Sequence, residues 1–299
     1  MRKGKASRTA EFMALFRAIE SSGPTESRLF DDPLARLFLQ PSLQFVLRLS
    51  LLPLVGGIIP AFIDWAWPGA RSSGVARTRF IDDLLRSALT DGIEQVVILG
   101  AGFDCRAYRL PRMDRTRVFE VDHPDTLAEK RKCLLRAFSS LPPHVQFVET
   151  DFNERQFERA MALAGYDPTR RTFFIWEGVT NYLTETAVDA MLRWFSTAAS
   201  GSQVCFTYVH RRVLEKSEAF EGTQRLFRTL QRTGEPWTFG LEPSEVRMYL
   251  AARGLELVDD LGAAEYRSRY LTGRGGRTRG YEFYRIAVAR VSGINSVGR

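Results

Sequence analysis

The sequence contains few of the residues that build metal centres and disulfide frameworks. It has only three cysteines, Cys105, Cys133 and Cys205, and three histidines in 299 residues. The cysteines are far apart, and no Cys-x-x-Cys pair or Cys/His spacing of a zinc site occurs. We therefore expect neither a disulfide framework nor a metal site. An odd number of unpaired thiols is typical of a protein in the reducing cytoplasm.

A hydrophobic run long enough to cross a membrane is also missing. The most apolar stretch, residues 49–63, is shorter than the roughly 20 residues that a spanning helix needs. Pro53, Gly56, Gly57 and Pro60 interrupt it, and it lies too far from the N-terminus to be a signal peptide. We expect no stable membrane insertion. The stretch is predicted to pack on the domain or over a pocket, with contact to a membrane surface as the alternative.

Charge of one sign does not dominate the chain. Lys and Arg number 42 against 35 Asp and Glu, a net charge of +7. The one dense cluster, Arg2, Lys3, Lys5 and Arg8, lies in a predicted disordered tail at residues 1–8. A nucleic-acid-binding protein would carry a basic stripe with interleaved aromatic residues, and the sequence has none. We therefore expect a small-molecule partner and no nucleic acid.

The central feature of the chain is a strand–glycine turn–helix–strand unit at residues 95–125. Its first strand is the uncharged apolar run 96–99, which suits a strand buried on both faces of a parallel sheet. Gly100 and Gly102 form the turn, and the second apolar run ends at Asp122. In α/β folds a unit of this kind binds the adenosine part of a cofactor.

The remainder of the chain alternates between helical and strand patterns. Helices are predicted at 9–20, 34–39 and 74–91 before the first strand, and one long helical region at 211–233. Strands are predicted at 96–99, 117–121, 145–151, 172–177, 202–208, 255–261 and 281–291. This alternation indicates a three-layer α/β/α Rossmann-like sandwich. We expect residues 1–92 to form a helical N-terminal cap and residues 93–299 the catalytic domain.

The turn favours a cofactor without phosphates. In a dinucleotide fingerprint a third glycine allows close packing around a pyrophosphate, but here Cys105 occupies that position after Asp104. S-adenosyl-L-methionine has no phosphate, and its sulfonium is positive. Asp122, 20 residues after Gly102, can accept both ribose hydroxyls. A nucleotide-dependent oxidoreductase and a non-catalytic cofactor-binding protein are the alternatives.

Several motifs in order along nearly the whole chain closely resemble the leucine carboxyl methyltransferase family. That family includes polyketide carboxyl methyltransferases and uncharacterised bacterial methyltransferases. The motifs are LFDDPLA (29–35), GVARTRFIDDLL (74–85), LGAGFDCRAYRL (99–110), FEVDHP (119–124), TDFNE (150–154), IWEGVTNYLTE (175–185) and PWTFGLEPSEV (236–246). The resemblance implies a class I methyltransferase sheet of seven strands, the last one antiparallel, under a helical cap.

The resemblance also implies residues for the methionine and ribose parts of the cofactor. Arg77 is expected to bind the methionyl carboxylate, because a guanidinium fork suits that group; a solvated helix arginine is the alternative. Gly100 and Gly102 are expected beneath the methionine–ribose portion. Asp122 is expected to bind the ribose.

The resemblance also implies contacts to the remaining parts of the cofactor from the ends of two further predicted strands. Asp151 and Phe152 would contact adenine, unless they serve as a helix N-cap and a core aromatic residue. Glu177 would face the methionyl ammonium or the sulfonium.

The methyl acceptor is less defined. A carboxylate acceptor is already anionic, whereas a hydroxyl acceptor generally benefits from a general base. Tyr182 and His210, each beyond a predicted strand, are the candidate catalytic residues. Their alternatives are a packing tyrosine and a surface histidine. With three histidines and no evident acid–base pair, an acceptor that needs little base assistance is favoured.

The apolar cap predicts an apolar or aromatic acceptor. We expect O-methylation of a carboxylate or hydroxyl on a small molecule such as a polyketide-like acid, a reaction of secondary metabolism. Methylation of a protein C-terminal carboxylate is the alternative that the resemblance leaves open.

Overall fold

Seven strands form one sheet in this computed structural model, which describes residues 8–53, 56–150, 152, 156–216, 220–233, 236–272 and 281–292. The strands are β1 (Gln95–Leu99), β2 (Arg117–Asp122), β3 (Val145–Glu149), β4 (Thr172–Trp176), β5 (Gln203–Val209), β6 (Leu255–Gly262) and β7 (Tyr284–Val291). Their order is β3-β2-β1-β4-β5-β7-β6. Only β7 is antiparallel to its neighbours, β5 and β6, among the described strands. The predicted sheet of seven strands with an antiparallel last strand is confirmed.

The central strands are apolar because both of their faces are covered. Every residue of β1 and of β4 is buried. Parallel strands covered on both faces are expected to be continuous apolar runs rather than alternating ones. The uncharged run at 96–99 therefore gave the correct position of β1 at the centre of the sheet.

Twelve helices occur in the described part of the chain. They are α1 (Arg8–Ser21), α2 (Pro41–Ser50), α3 (Ile58–Ala66), α4 (Ala70–Thr90), α5 (Arg106–Arg109), α6 (Pro124–Leu134), α7 (Phe157–Leu163), α8 (Glu185–Phe195), α9 (Arg211–Glu215), α10 (Thr223–Thr233), α11 (Val246–Ala251) and α12 (Ala263–Leu271). The predicted single helical region at 211–233 is wrong, because α9 ends at Lys216 in the left-handed conformation (φ 55°). The predicted tail, apart from Arg8, lies outside the described residues.

Helices cover the sheet on both faces. Helices α7, α8 and α11 share one apolar cluster with the strands, built around Phe174, Trp176 and Phe195. Helices α4, α5 and α12 share the cluster on the other face, which includes Ile81 and Tyr266. The predicted three-layer α/β/α sandwich is confirmed.

The N-terminal helices lie over the glycine turn. Ala14 and Leu15 of α1 pack with Phe103 after the turn and with Leu134 of α6. Helix α4 buries residues such as Leu85 against the sheet, so it is also a layer of the sandwich. The division of the chain at residue 92 remains a prediction.

Gly74 permits a close contact between α1 and α4. A Cβ atom at this position would lie 2.7 Å from Met13 Cε, well inside van der Waals contact. The absent side chain thus allows α1 to lie directly on the part of α4 that carries Arg77.

The most apolar stretch is packed on one side only. Ile63 is buried, whereas Leu51, Leu52, Ile58 and Phe62 are each about half exposed. The prediction that this stretch packs on the domain is therefore correct for one of its sides, with Leu54 and Val55 outside the described residues. Within the described ranges, no helix is long and apolar enough to cross a membrane.

Candidate active site

A cavity of about 1060 Å³ lies between the cap and the carboxyl ends of the central strands. Its polar end is formed by Arg77 of α4, the glycine turn after β1, Asp122 at the end of β2, and Glu177 directly after β4. Its other end is mostly apolar and is lined by Phe12, Ile59, Phe62, Ile63, Trp67, Leu226, Leu230 and Trp237. Ligand pockets usually measure about 300–1,000 Å³, so the cavity is slightly larger than a typical ligand pocket.

The two glycines of the turn serve different purposes. Gly100 has φ +65°, and a Cβ there would lie 2.2 Å from Val179 Cγ2. Gly102 has φ +39°, but its Cβ would meet nothing closer than 3.6 Å. Gly100 is therefore required by the packing of the protein, whereas a Cβ at Gly102 would make only ordinary contacts, with Gly100 O and Ala10 Cβ, in the wall of the cavity.

Asp122 is anchored by backbone amides. Its Oδ2 accepts a hydrogen bond from Gly102 N and its Oδ1 one from His123 N, both at 2.7 Å. Burial raises the pKa of this carboxyl group above its ordinary value, against the opposing effect of these two hydrogen bonds. Each carboxylate oxygen has a second lone pair, so the group can still accept hydrogen bonds from vicinal hydroxyls.

Glu177 is held between two arginines. Its Oε1 accepts from Arg77 Nε at 2.7 Å, and its Oε2 accepts from Arg106 Nη1 at 2.9 Å. Burial alone would raise the pKa of Glu177, but the two guanidinium groups outweigh it and lower the pKa. Glu177 is therefore an anion at neutral pH that faces the cavity.

The pair around Glu177 belongs to a larger group of alternating charges, here called the arginine network. Asp82 is bound by Arg106 Nε at 2.8 Å and by Arg109 Nη1 at 2.7 Å. Asp32, in the cap, is bound by Arg17 Nε at 2.9 Å and lies 3.6 Å from Arg109 Nε. With Asp104, which pairs with Arg106, the network comprises Arg17, Arg77, Arg106 and Arg109 and Asp32, Asp82, Asp104 and Glu177. Four positive and four negative charges balance, which is what partly buried ions require.

A second buried ion pair supports the glycine turn from below. Lys130 Nζ lies 2.9 Å from Glu120 Oε2, and both side chains are fully buried. The same Nζ donates to Ala101 O at 3.2 Å. Helix α6 is thereby tied to the middle residue of the turn.

Arg77 is enclosed by aromatic and sulfur groups. Its guanidinium carbon lies 4.8 Å from the centroid of the Tyr284 ring. Its Nη2 donates to Met13 Sδ, a weak acceptor, at 3.8 Å. A carboxylate ligand would be a much stronger acceptor for this guanidinium group.

Two buried polar atoms lie at the apolar end of the cavity. Asn181 is 1% exposed, and neither its Oδ1 nor Trp237 Nε1 has a hydrogen-bond partner among the described residues. Both residues line the cavity, and Thr238 N donates to Asn181 O at 2.8 Å, which ties the two segments together. Buried polar groups are normally paired, so these atoms indicate a polar contact from a ligand.

The structure brings most of the predicted site residues together. Those that line the cavity are Arg77, Gly100, Gly102, Asp122, Phe152, Glu177 and Tyr182. Asp151 lies outside the described residues. Tyr182 belongs to a 3-10 turn, Thr180–Tyr182, beside Asn181.

His210 is not among the described residues that line the cavity. Its backbone N–H donates to Phe283 O at 2.8 Å, and its Nε2 lies 3.6 Å from Glu242 Oε1. The chain forms a β-bridge from His210 to Leu241 as α9 begins. This turn directs the imidazole to Glu242 instead of to the carboxyl edge of the sheet, so the position does not support the predicted catalytic role.

Three residues at the site were not assigned from the sequence. Asn181 and Trp237 lie within the motifs IWEGVTNYLTE and PWTFGLEPSEV, so the signal was available. Tyr284, the first residue of β7, had no comparable signal because it reaches Arg77 only through the antiparallel position of β7. No group of three or more His, Cys, Asp or Glu side chains in the described ranges is arranged to hold a metal ion.

S-adenosylmethionine, the cofactor expected from the sequence, fits these side chains. Arg77 suits the methionyl carboxylate and Glu177 the ammonium group. Asp122 suits the ribose hydroxyls, and the missing side chain at Gly102 would allow a ligand to approach the backbone closely. Each of these cofactor groups thus has a counterpart of complementary charge or hydrogen-bonding type in the cavity lining.

Comparison with known proteins identifies the family of the chain. The sequence model of the leucine carboxyl methyltransferase family matches residues 10–196. A Streptomyces coelicolor protein assigned as an S-adenosyl-L-methionine-dependent methyltransferase is 36% identical over 220 residues, which is 71% of this chain and 72% of that protein. A Frankia alni protein with the same assignment is 37% identical over 213 residues, 70% of each chain.

Solved structures share the fold. The structure of a protein from Thermobifida fusca assigned as a methyltransferase has a TM-score of 0.61 at 16% identity, over 98% of this chain and 97% of that one. A DUF574 family protein from Streptomyces avermitilis has a TM-score of 0.58 at 15% identity, over 96% and 98%. The chain therefore belongs to the leucine carboxyl methyltransferase family of S-adenosylmethionine-dependent methyltransferases.

Proposed function

We propose that the protein transfers the methyl group of S-adenosylmethionine to an oxygen, most simply a carboxylate oxygen, of a small apolar or aromatic molecule. The observation that carries this proposal is the two-ended cavity. Its polar end matches the cofactor, and its apolar end under the cap is continuous with it. An acceptor in the apolar end would lie next to the methionine end of the cofactor.

The cofactor is proposed to lie along the carboxyl edge of the sheet. Arg77 would hold the methionyl carboxylate, Glu177 the ammonium, and Asp122 the ribose, with adenine towards Phe152. When bound, S-adenosylmethionine supplies an electrophilic methyl group on a positive sulfonium. The protein's task is then to align an acceptor oxygen with that methyl group and to exclude water.

The titratable groups near the apolar end favour an acceptor that is already ionised. The described tyrosines that line the cavity are Tyr182, Tyr281 and Tyr284, and the lining histidine, His123, follows Asp122 at the end of β2. Burial raises the pKa of Tyr281 and of Tyr284, so both phenols stay protonated at neutral pH. A carboxylate acceptor needs no base, whereas a hydroxyl acceptor would.

Asn181 and Trp237 are proposed to position the acceptor. The indole Nε1–H can donate to a carboxylate oxygen, and Asn181 Oδ1 can accept a hydrogen bond from a hydroxyl or N–H group elsewhere on the acceptor. The face of the Trp237 ring packs 6.2 Å from the Tyr284 ring, centroid to centroid, and continues the apolar wall.

The proposal is tested with a methyl-labelled cofactor and a broad extract of small acids and phenols. Label in a small molecule that is released by mild alkali would indicate a carboxyl ester, as expected. Alkali-stable label would indicate an ether or amine, and label in the protein fraction would indicate a protein carboxylate; either result would contradict the proposed acceptor.

A matched variant separates acceptor binding from cofactor binding. Trp237→Phe keeps the aromatic face and removes the donor, so KM for the acceptor should rise by about tenfold, the equivalent of one hydrogen bond to a charged group. The Kd for the cofactor should stay unchanged. An equal effect on both would contradict the assignment of Trp237 to the acceptor.

A further inference from the structure

Large apolar side chains are exposed on the cap and rare elsewhere on the described surface. Eight of the twelve exposed large hydrophobic residues lie between positions 12 and 67. Six of them, here called the cap patch, are Phe45, Leu51, Leu52, Ile58, Phe62 and Trp65, with exposures of 49–63%. Single exposed apolar residues are normal, but a contiguous group marks a surface that something covers.

The cap patch is organised by helix geometry. Ile58, Phe62 and Trp65 follow one another at helical spacing along one face of α3. The Phe62 and Trp65 rings lie 5.9 Å apart, centroid to centroid. Helix α2 contacts α3 and adds Phe45, and the residues after α2 add Leu51 and Leu52.

The charges around the cap patch are positive or neutralised. Arg48, which is exposed, is the only charged residue of the sequence between positions 37 and 63. Asp64, at the edge, is paired with Arg71 at 3.0 and 2.5 Å. The patch thus presents no uncompensated acid to an anionic surface.

A basic cluster precedes the cap in the sequence. Helix α1 begins at Arg8, and Phe12, one turn later, lies 6.5 Å from the Trp67 ring, centroid to centroid. Arg2, Lys3 and Lys5 directly precede this helix in the sequence and lie outside the described residues.

The cap patch is continuous with the apolar end of the cavity. Phe62 belongs to both, and its neighbours Ile59, Ile63 and Trp67 also line the cavity. A molecule that leaves an apolar phase at the patch would therefore meet apolar side chains without a polar barrier between them.

We propose that the cap patch docks on the surface of an anionic lipid bilayer, and that the acceptor enters the cavity from it. The apolar side chains and Trp65 insert at the headgroup boundary, and Arg48 contacts the anionic headgroups. Docking is independent of the reaction, whereas acceptor entry rests on the proposed function.

The test is co-sedimentation of the full chain with vesicles of phosphatidylcholine and phosphatidylglycerol. The protein should sediment with these vesicles, and the emission of Trp65 should shift to the blue. Phe45→Ser combined with Trp65→Ser should reduce the bound fraction by about tenfold or more, because neither residue lines the cavity and both are exposed. Leu163→Ser, at a residue 79% exposed on α7, is the matched control and should bind as the parent does.

Several results would overturn docking on lipid. These are failure of the parent to sediment, an equal loss in the Leu163→Ser control, or equal binding to neutral vesicles at high salt. A concentration-dependent dimer that disappears in the patch variant, without vesicle binding, would assign the patch to a second copy of the chain. Vesicle binding without methylation of any acceptor would leave docking intact and would contradict the proposed function.

Discussion

The two glycines of the turn offer a direct test of the cofactor position, because a side chain at Gly100 would clash with the protein, whereas one at Gly102 would make only ordinary contacts. At Gly100 an alanine Cβ would lie 2.2 Å from Val179 Cγ2 at φ +65°. The left-handed conformation costs an alanine about 1–2 kcal/mol, and overpacking adds about 1–3 kcal/mol. Gly100→Ala should therefore lower the free energy of unfolding by about 2–5 kcal/mol.

Gly102→Ala should behave in the opposite way. Its Cβ would be in ordinary contact with Ala10, 3.7 Å away, so only the backbone cost of about 1–2 kcal/mol remains. The added methyl group occupies the space proposed for the cofactor, and the Kd for S-adenosylmethionine should rise at least about tenfold, which is about 1.4 kcal/mol.

Urea unfolding and titration calorimetry measure both effects. A double variant supplies the control: Val179→Ala removes the Cγ2 atom, so it should return most of the overpacking part of the loss in Gly100→Ala. Unchanged cofactor affinity in Gly102→Ala would refute the proposed path of the cofactor over the turn. Failure of Val179→Ala to restore stability would refute the packing explanation for Gly100.

Three other perturbations probe the charged groups. Arg77→Met should weaken S-adenosylmethionine binding by about 100-fold, because it removes a charge-assisted bidentate contact, and Arg77→Lys should weaken it by less. Calorimetry measures both affinities. Equal affinities in the parent and in Arg77→Met would contradict the assignment of Arg77 to the methionyl carboxylate. For Asp104, burial would raise the pKa, but Arg106 and its neighbours lower it from 3.8 to about 2. Since the folded value is the lower one, this carboxylate contributes about 2 kcal/mol of stability above pH 4, which is lost as the pH falls towards 2. Asp104→Asn should remove this part of the pH dependence of the unfolding free energy, measured by denaturant unfolding. If the unfolding free energy of the variant changed with pH as steeply as that of the parent, the stabilising role of Asp104 would be contradicted. Lys130→Met should lower the free energy of unfolding by about 3–5 kcal/mol, because it leaves Glu120 buried without this partner. Adding Glu120→Leu should recover most of the lost stability. Full stability of the Lys130→Met variant would refute the stabilising role of the ion pair.

The sheet and the residues at the polar end of the cavity were predictable because the position of a strand and the residues at its end are local properties of the sequence. Apolar runs identified the seven strands, and acids or glycines directly after them marked Gly102, Asp122 and Glu177. Parallel strands bring their carboxyl ends to one edge of the sheet, so these residues had to converge.

Other parts of the site depend on distant segments. Glu177 meets Arg77 across 100 residues and Arg106 across 71, and no local pattern encodes that pairing. A position directly after a strand also does not always place a side chain at the site. At His210 the chain turns into α9 and pairs with Leu241. The exposure of α3 was equally hidden, since its hydrophobic sequence resembles that of a buried helix.

The contact at Gly74 distinguishes two parts of the cap that differ in how freely their sequence can change. Helices α1 and α4 are in contact at Met13 and Gly74, and α4 carries Arg77, so changes there would reach the proposed cofactor site. Helices α2 and α3 contribute residues to the apolar end of the cavity and to the outer surface instead. This segment is the natural unit to graft between relatives, because a chimera that exchanges it could acquire a new acceptor while its methyl-donor site stays intact.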